Sequence, residues 1–226
     1  MITYQDQMEL FRLLANAIKK DITCYAFGGN AMMFYGYKEE TKDVDLLLED
    51  QESRREFTLA LRSLGYMETS ATRIYLPEKL KDPNAPLVYK KGEGRFDLFI
   101  GSIFRTLLSP KMKEDLFAVH EFKSEHTLTV KVFNSEFIVL LKSVTSRDRD
   151  FEDIVTIVKK DKHFGWQYLI DEVLWQYQHG DSLVLLDVEK MLQELKKYVL
   201  VEEKYFKQLH QAGGRSKTSS SPMRRS

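Results

Sequence analysis

The sequence predicts an α+β fold, in which a small mixed-sheet domain (residues 1–133) is followed by a helical region (residues 134–211). Before residue 134, short apolar segments bounded by Gly, Pro, Asn or charged residues are interspersed with amphipathic helical segments. From Asn134 onward, apolar residues recur at helical spacing. Mixed elements followed by a run of helices are typical of an α+β domain with a helical appendage.

The mixed-sheet half begins with a helix. Apolar residues at steps of three and four predict that this helix starts at Thr3 or Gln5 and ends at residues 19–21, where two lysines suit a helix C-terminus. The other predicted elements are strands at 22–27, 44–48, 66–67, 73–76, 87–90, 96–100 and 126–133, helices at 30–35, 51–64 and 109–119, and a loop at 78–86.

The second half is predicted to be helical. Helices are expected at 137–144, at 151–158 (separate from the first or continuous with it), at 166–177 and at 188–209, with a loop at 179–182. Residues 212–226 are rich in Gly, Ser, Arg and Lys, and this composition predicts a disordered basic tail.

Composition places the chain among ordinary globular proteins. Its 226 residues are 43% hydrophobic and 30% charged, which excludes a collagen, a long disordered chain and a disulfide-stapled miniprotein. The single cysteine, Cys24, cannot form an intramolecular disulfide, so a cytoplasmic protein is expected. We expect no membrane segment, because no apolar run approaches the roughly 20 residues that span a bilayer.

The formal net charge of zero conceals an uneven distribution. From Lys204 to Ser226 there are six basic residues and no acidic ones, so the rest of the chain is net acidic. Overall neutrality therefore does not exclude a nucleic-acid partner, which local positive charge would hold.

A glycine pair separates the predicted strand 22–27 from the next helix. In Gly28–Gly29–Asn30, the glycines allow the backbone to approach a ligand closely. The N–H groups that open the following helix would then point at a phosphate. The simpler interpretation is a turn without a ligand.

Carboxylates interrupt two of the predicted strands. Asp43 and Asp45, in the segment 41–46, are two residues apart and therefore project from one strand face. Adjacent carboxylates repel each other unless a cation lies between them, and Mg²⁺ prefers such oxygen ligands. Asp97, in the apolar strand 96–100, would complete a three-carboxylate site for two metal ions. The alternatives are solvated aspartates at a strand end and at a sheet edge.

Together these segments resemble the nucleotidyltransferase superfamily with the polymerase-beta-like fold. The resemblance rests on Gly28–Gly29, the short helix after them, the pair Asp43-x-Asp45 and the later Asp97. The helical segment from Lys142 through 146–154 is similar to that of the AbiEii-like toxin branch, which has many prokaryotic relatives. The likeness covers about residues 5–160.

The resemblance implies transfer of a nucleoside monophosphate from an NTP, with ATP favoured, and loss of pyrophosphate. Asp43 and Asp45 would bind two Mg²⁺ ions, with Mn²⁺ as an alternative metal. Asp97 would bind the second ion and act on the acceptor. The expected nucleotide contacts are Gly28, Gly29, Asn30, Thr41, Lys42, Lys142, Asp150 and Asp153.

Spacing supports a role for the helical segment. Lys142, Ser146, Arg149 and Asp153 recur at steps of three or four and so share one helix face. If that face lines the cleft, Lys142 meets a phosphate while Asp150 or Asp153 orients the lysine. The alternative is a solvated helix with surface ion pairs.

Two residues depart from the family pattern. Asn30 stands where relatives commonly have a small hydroxyl residue or glycine, and Glu39 stands where they often have arginine. An acid in place of a base weakens attraction for phosphate, although Lys38 or Lys42 would compensate. The alternative function is therefore a catalytically impaired protein that binds a nucleotide or a partner.

The acceptor is left open among an RNA end, a protein hydroxyl and a small molecule. An RNA would be held by Lys38, Lys42, Lys142 and the basic tail. The toxin-like resemblance implies an antitoxin partner. The helices after residue 165 are rich in aromatic residues, so a homodimer is also a candidate.

Overall fold

The computed structural model describes residues 1–75, 85–145, 148–180 and 182–214. Most of the loop predicted at 78–86 lies outside these ranges. Residues 146 and 147 of the predicted helical motif, and the predicted tail beyond Gly214, also lie outside them.

The described residues confirm the α+β class. The strands are β1 (Ile2–Thr3), β2 (Ile22–Phe27), β3 (Glu40–Thr41), β4 (Asp43–Leu48), β5 (Met67–Thr69), β6 (Leu87–Lys91), β7 (Gly94–Ile100), β8 (Ser102–Ile103), β9 (Thr106–Leu107), β10 (Leu116–Lys123) and β11 (Thr127–Phe133). The helices are α1 (Tyr4–Ala17), α2 (Gly28–Phe34), α3 (Gln51–Ser63), α4 (Pro110–Glu114), α5 (Ser135–Thr145), α6 (Asp148–Lys160), α7 (Trp166–His179), α8 (Val184–Leu195) and α9 (Glu203–Ala212).

One large mixed sheet organises the first half of the chain. Its main path runs β10-β11-β2-β4-β7-β6-β5, with β8 and β9 attached beside β7. The pairs β11–β2 and β4–β7 are parallel, whereas β2–β4 and β6–β7 are antiparallel. Separately, β1 pairs with β3, which holds the start of the chain against the segment that leads into β4.

The sheet buries one face beneath α1 and α3. Phe11 of α1 meets Phe122 with ring centroids 5.4 Å apart, and Phe57 of α3 meets Phe96 at 6.2 Å. Val44 lies on this same face, opposite Phe96 in the sheet register, and is fully buried. The apolar residues of β4 therefore anchor the sheet, and the alternation of side chains directs its acidic residues to the other face.

Helix α5 is the centre of the helical region. Residues 135–144 are all buried, because α5 packs between α2 and the helices α6, α7 and α8. Apolar residues around most of the helix suit such an enclosed position, and the buried charged residues Glu136 and Lys142 are exceptions that have polar partners. No helix in the described part of the chain is long and apolar enough to cross a membrane.

The helix predicted at 109–119 is wrong in its second half. Ser109 does cap the short helix α4, accepting a hydrogen bond from the Met112 backbone N–H at 3.1 Å. From Leu116, however, the chain is the strand β10, which pairs antiparallel with β11. Local spacing could not reveal this, because a strand partner that follows in sequence decides the conformation.

Two other sequence predictions are also wrong. The single helix expected at 188–209 is divided into α8 and α9, and the turn between them exposes Leu200 while Val201 is buried. In place of a strand at 73–76, a 3-10 turn spans Ala71–Arg73, and the Tyr75 backbone N–H donates to the Ala71 carbonyl at 2.9 Å. No strand pairs with this segment in the described chain.

A buried amide joins α7 to the hairpin formed by β8 and β9. The Gln176 side chain accepts from the Leu107 backbone N–H at 2.9 Å and donates to the Leu107 carbonyl at 2.8 Å. Its amide also donates to Glu172 at 2.8 Å. Because Gln176 is fully buried, these bonds fix the hairpin to the helical region.

We predict that Glu172→Gln alters the pH dependence of stability. Burial raises the pKa of Glu172 in the folded protein above its unfolded value, with hydrogen bonds from Gln176 and Ser109 opposing the shift. The wild type should therefore lose stability relative to the variant as pH rises through the folded pKa. Urea unfolding at acidic and neutral pH measures the difference. The exposed Glu194→Gln is the matched control, and identical pH profiles for the two variants would contradict the prediction.

Candidate active site

The parallel pairing of β4 with β7 brings the predicted acidic residues together. In this register Asp43 lies opposite Arg95, and Asp45 lies opposite Asp97. All four side chains project from the same face of the sheet, since residues two apart on a strand share a face. Asp97 therefore lies on the strand next to that of Asp43 and Asp45, as the sequence predicts.

An arginine lies among these carboxylates. The Arg95 guanidinium contacts Asp43 at 2.6 Å and Asp97 at 2.8 Å and 3.0 Å. Burial alone lowers the pKa of Arg95, but the negative charges of Asp97 and Asp43 outweigh it and raise that pKa overall. Arg95 is therefore a permanent cation that partly neutralises the acidic cluster.

Asp97 is fully buried, and both of its oxygens accept hydrogen bonds. One oxygen accepts from Arg95, and the other accepts from Arg95 and from the Tyr75 hydroxyl in a very short contact. Burial raises the pKa of Asp97, while the positive charge of Arg95 opposes that shift. The pKa of Tyr75 is also raised, by burial and then by the charges of Asp97 and Asp45, so its hydroxyl keeps its proton and donates.

A cleft of about 470 Å³ opens beside the acidic strand. One wall contains the glycine pair and the segment that leads into β4, and the other contains residues of α5 and α6. Phe27, Phe99, Phe104 and Tyr75 supply aromatic rings. The predicted site residues that line the cleft are Gly28, Gly29, Thr41, Lys42, Asp43, Asp45, Lys142, Asp150 and Asp153.

Two side chains approach the glycine pair closely, one from β4 and one from β3. Gly28 has φ +66°, and a Cβ placed on it would lie 2.2 Å from Oδ2 of Asp45. A Cβ on Gly29 would lie 2.5 Å from Oγ1 of Thr41. Both distances are far inside van der Waals contact, so a side chain at Gly28 would force the Asp45 carboxylate to move, and one at Gly29 would force the Thr41 hydroxyl to move.

Asn30 does not line the cleft, although the sequence predicts a nucleotide contact there. Its side chain is fully buried, and Oδ1 accepts from the Asp45 backbone N–H at 3.1 Å. Asn30 therefore holds β4 against α2. Glu39 is exposed and does not line the cleft either, whereas the neighbouring Lys38 does.

The far wall is an ion-pair network. The buried Lys142 ammonium contacts Asp150 at 3.1 Å and Asp153 at 2.7 Å. Lys38, from the loop after α2, contacts the same Asp153 at 2.9 Å. Thr145 also donates to Asp150, at 2.5 Å. The prediction that Lys142 and Asp153 share one helix face is wrong, because Lys142 lies on α5 and Asp153 on the separate helix α6. Lys142 nevertheless contacts both Asp150 and Asp153 across the two helices, the two residues that were expected as alternative partners for it.

Two of the three carboxylates suit a metal ion. Asp43 and Asp45 are partly exposed, line the cleft and project side by side, which fits a hard divalent cation. In the described part of the chain no three acidic, histidine or cysteine side chains converge as a ligand set. Arg95 and Tyr75 engage the Asp97 oxygens, so a second ion on Asp97 would have to replace those contacts.

Sequence reasoning missed three residues that shape the site. Arg95 was detectable in principle, because it precedes Asp97 by two positions and strand alternation places both on one face. Tyr75 and Phe104 had no local signal, since they reach the site only through tertiary packing. Phe104 and the adjacent Arg105 have positive φ angles of 46° and 78° at the tip of the β8–β9 hairpin.

We predict that Gly28→Ala is more destabilising than Gly36→Ala. Both glycines have positive φ, near +66° and +69°, but an added Cβ at Gly36 meets nothing within 4 Å. Gly36→Ala should therefore lower the free energy of unfolding by about 1 kcal/mol, the cost of left-handed backbone. Gly28→Ala should cost at least twice as much, because Asp45 must also move. Urea unfolding measures the free energy of unfolding of both variants. Equal losses of that free energy would contradict the prediction, because they would show that a Cβ at Gly28 does not crowd Asp45.

The chain was compared with known proteins through its sequence. A scan against protein-family models finds no family that matches it, and a search of curated proteins finds no matching sequence. A function for this chain is therefore inferred from the cleft itself and from the side chains that line it.

Proposed function

We propose that this protein transfers a nucleoside monophosphate from a nucleoside triphosphate to a hydroxyl group and releases pyrophosphate. The observation that supports the proposal most directly is the pairing of Asp43 and Asp45 on one strand face, in a cleft whose far wall presents Lys142. In this proposal, the acidic strand is the side of the cleft that binds the cation, and the wall with Lys142 is the side that binds phosphate. ATP is the favoured donor.

Asp43 and Asp45 would hold Mg²⁺, which when bound would neutralise phosphate charge and favour departure of pyrophosphate. Gly28 and Gly29 leave the space in which a triphosphate can approach the backbone. Lys142 and Lys38 supply positive charge, and both are bound to Asp153 in the free protein. Phosphate oxygens would then compete with Asp153 for these two ammonium groups.

Asp97 would act on the acceptor by taking the proton of its hydroxyl. It lies directly opposite Asp45 in the sheet register and already accepts a hydrogen bond from one hydroxyl, that of Tyr75. A general base must be within hydrogen-bond reach of the proton it removes. The acceptor class and a toxin-like role remain predictions of the resemblance, and growth arrest on expression tests the latter.

A second candidate function is nucleotide binding without turnover. The favouring observation is that Asp97 is fully buried and its oxygens are engaged by Arg95 and Tyr75. If these contacts persist after nucleotide binds, the acceptor has no base. Calorimetry with ATP and Mg²⁺, combined with a screen for label transfer to RNA and lysate proteins, separates binding alone from catalysis.

We predict that Asp43→Asn and Asp45→Asn each reduce label transfer from radioactive ATP by at least about 100-fold, because each removes a charged metal ligand. The fold should be retained, since both residues are only partly buried. Asp171→Asn, an exposed aspartate on α7, is the matched control and should transfer label normally. Full transfer by the Asp45→Asn variant would refute the site assignment.

We also predict that Arg95→Gln increases the affinity of the cleft for a divalent cation. Arg95 contacts Asp43 directly, so its positive charge opposes a second cation at the same carboxylate. Removal of that charge should tighten Mn²⁺ binding by roughly tenfold, corresponding to about 1.4 kcal/mol. Electron paramagnetic resonance detects the Mn²⁺ that stays free in solution, so it measures this affinity without any catalytic assay. The exposed Arg12→Gln is the control, and weaker binding by Arg95→Gln would contradict the prediction.

A further inference from the structure

We propose that Tyr75 is itself an acceptor, so that the protein attaches one nucleoside monophosphate to its own Tyr75 hydroxyl. This inference rests on the proposed nucleotidyl transfer and names a protein hydroxyl as one acceptor of that reaction. It assigns to the cleft a site of covalent self-modification, with a nucleoside triphosphate as the donor.

The Tyr75 hydroxyl occupies the position that an acceptor hydroxyl requires. It donates a very short hydrogen bond to Oδ2 of Asp97, the carboxylate that would remove the acceptor's proton. Asp97 in turn lies opposite Asp45 in the register of β4 and β7. Tyr75 also lines the cleft beside Asp43, Asp45 and Gly28, where the reacting phosphate of a bound nucleotide would lie.

The ring of Tyr75 is held firmly in this position. Its centroid lies 5.1 Å from that of Phe104 and 6.2 Å from that of Phe99, and the residue is buried. Phe104 belongs to the β8–β9 hairpin, which Gln176 fixes through two hydrogen bonds to Leu107. A hydroxyl with so little freedom is already oriented for reaction, because little conformational entropy remains to be lost.

Other described hydroxyl residues of the cleft wall bond elsewhere. Thr41 accepts from the Asp43 backbone N–H at 3.4 Å. The Thr145 hydroxyl lies 2.8 Å from the Lys142 carbonyl oxygen and 2.5 Å from an Asp150 oxygen, and its single proton bonds to one of these acceptors. Among the hydroxyl groups that line the described cleft, that of Tyr75 is therefore the one bonded to Asp97.

The proposed step conserves atoms and charge. The Tyr75 phenolic oxygen attacks the α-phosphorus of the nucleoside triphosphate and forms an O–P bond. The bond from the α-phosphorus to the bridging oxygen breaks, and pyrophosphate leaves with that electron pair. The phenolic proton passes to the Asp97 carboxylate. Because the attached nucleotide then occupies the cleft, we expect no more than one modification per chain.

The sequence offers a convenient readout for this reaction. Trypsin cleaves after Arg73 and after Lys79, and in the resulting peptide 74–79 Tyr75 is the sole hydroxyl-bearing residue. Full-length protein incubated with ATP and Mg²⁺ should gain the mass of one AMP per chain, located by tandem mass spectrometry on this peptide. Tyr75→Phe should abolish the gain. Tyr66→Phe, a buried tyrosine whose ring packs on Phe96 instead, should retain it.

A mixing experiment tests whether the modification occurs within one chain. Wild-type protein is incubated with an equal amount of a longer, tagged Asp45→Asn chain. Because Tyr75 is buried in its own cleft, label should appear on the wild-type chain alone. Label on the tagged chain would overturn self-modification within one chain.

The outcomes distinguish this inference from the proposed function. Transfer of label to RNA or lysate proteins, with peptide 74–79 unmodified, would refute the inference and leave the proposed function intact. Absence of both transfer and ATP binding by calorimetry would refute both. Label on peptide 74–79 in wild type that persists at an equal level in Asp45→Asn would also refute the inference, since the modification would then not depend on the cleft.

Discussion

The in-register parallel pairing of β4 with β7 is the constraint on which the rest of the site depends. It places Asp43 opposite Arg95 and Asp45 opposite Asp97, and alternation directs all four to one face. The other face of β4 is anchored in the core through Val44. A slip of one residue in either strand would turn the carboxylates of that strand into the core, so burial of the apolar face preserves the acidic face.

Helix–sheet contacts convert this acidic strand into a cleft. Lys142 from α5 and Lys38 from the loop after α2 both bind Asp153, so α6 is held across the opening. A buried lysine with two carboxylate partners is costly to desolvate and contributes little net stability. Under the proposed function, a phosphate would replace Asp153 as a partner of this lysine.

Sequence analysis predicted correctly those elements whose own residues show a helical or strand period, a capping residue or a glycine turn. The helical and strand periods, the capping residues and the glycines predicted the core strands and the short helix after Gly28. The two-residue spacing of Asp43 and Asp45 predicted that both project from one strand face. Prediction failed where a distant partner decides the conformation. The strand that begins at Leu116 forms because β11 follows it, and Asn30 became a structural residue because β4 passes close to α2.

By itself, the sequence determined that the chain has an α+β fold and that acidic residues alternate along β4, since strand geometry follows from local pattern. Only the tertiary structure decided what Asp97 contacts. Arg95 shares its strand, but Tyr75 reaches it from a separate segment through packing against Phe104. Such contacts join residues far apart in the chain, and local propensities contain no information about which distant side chain fills a buried position.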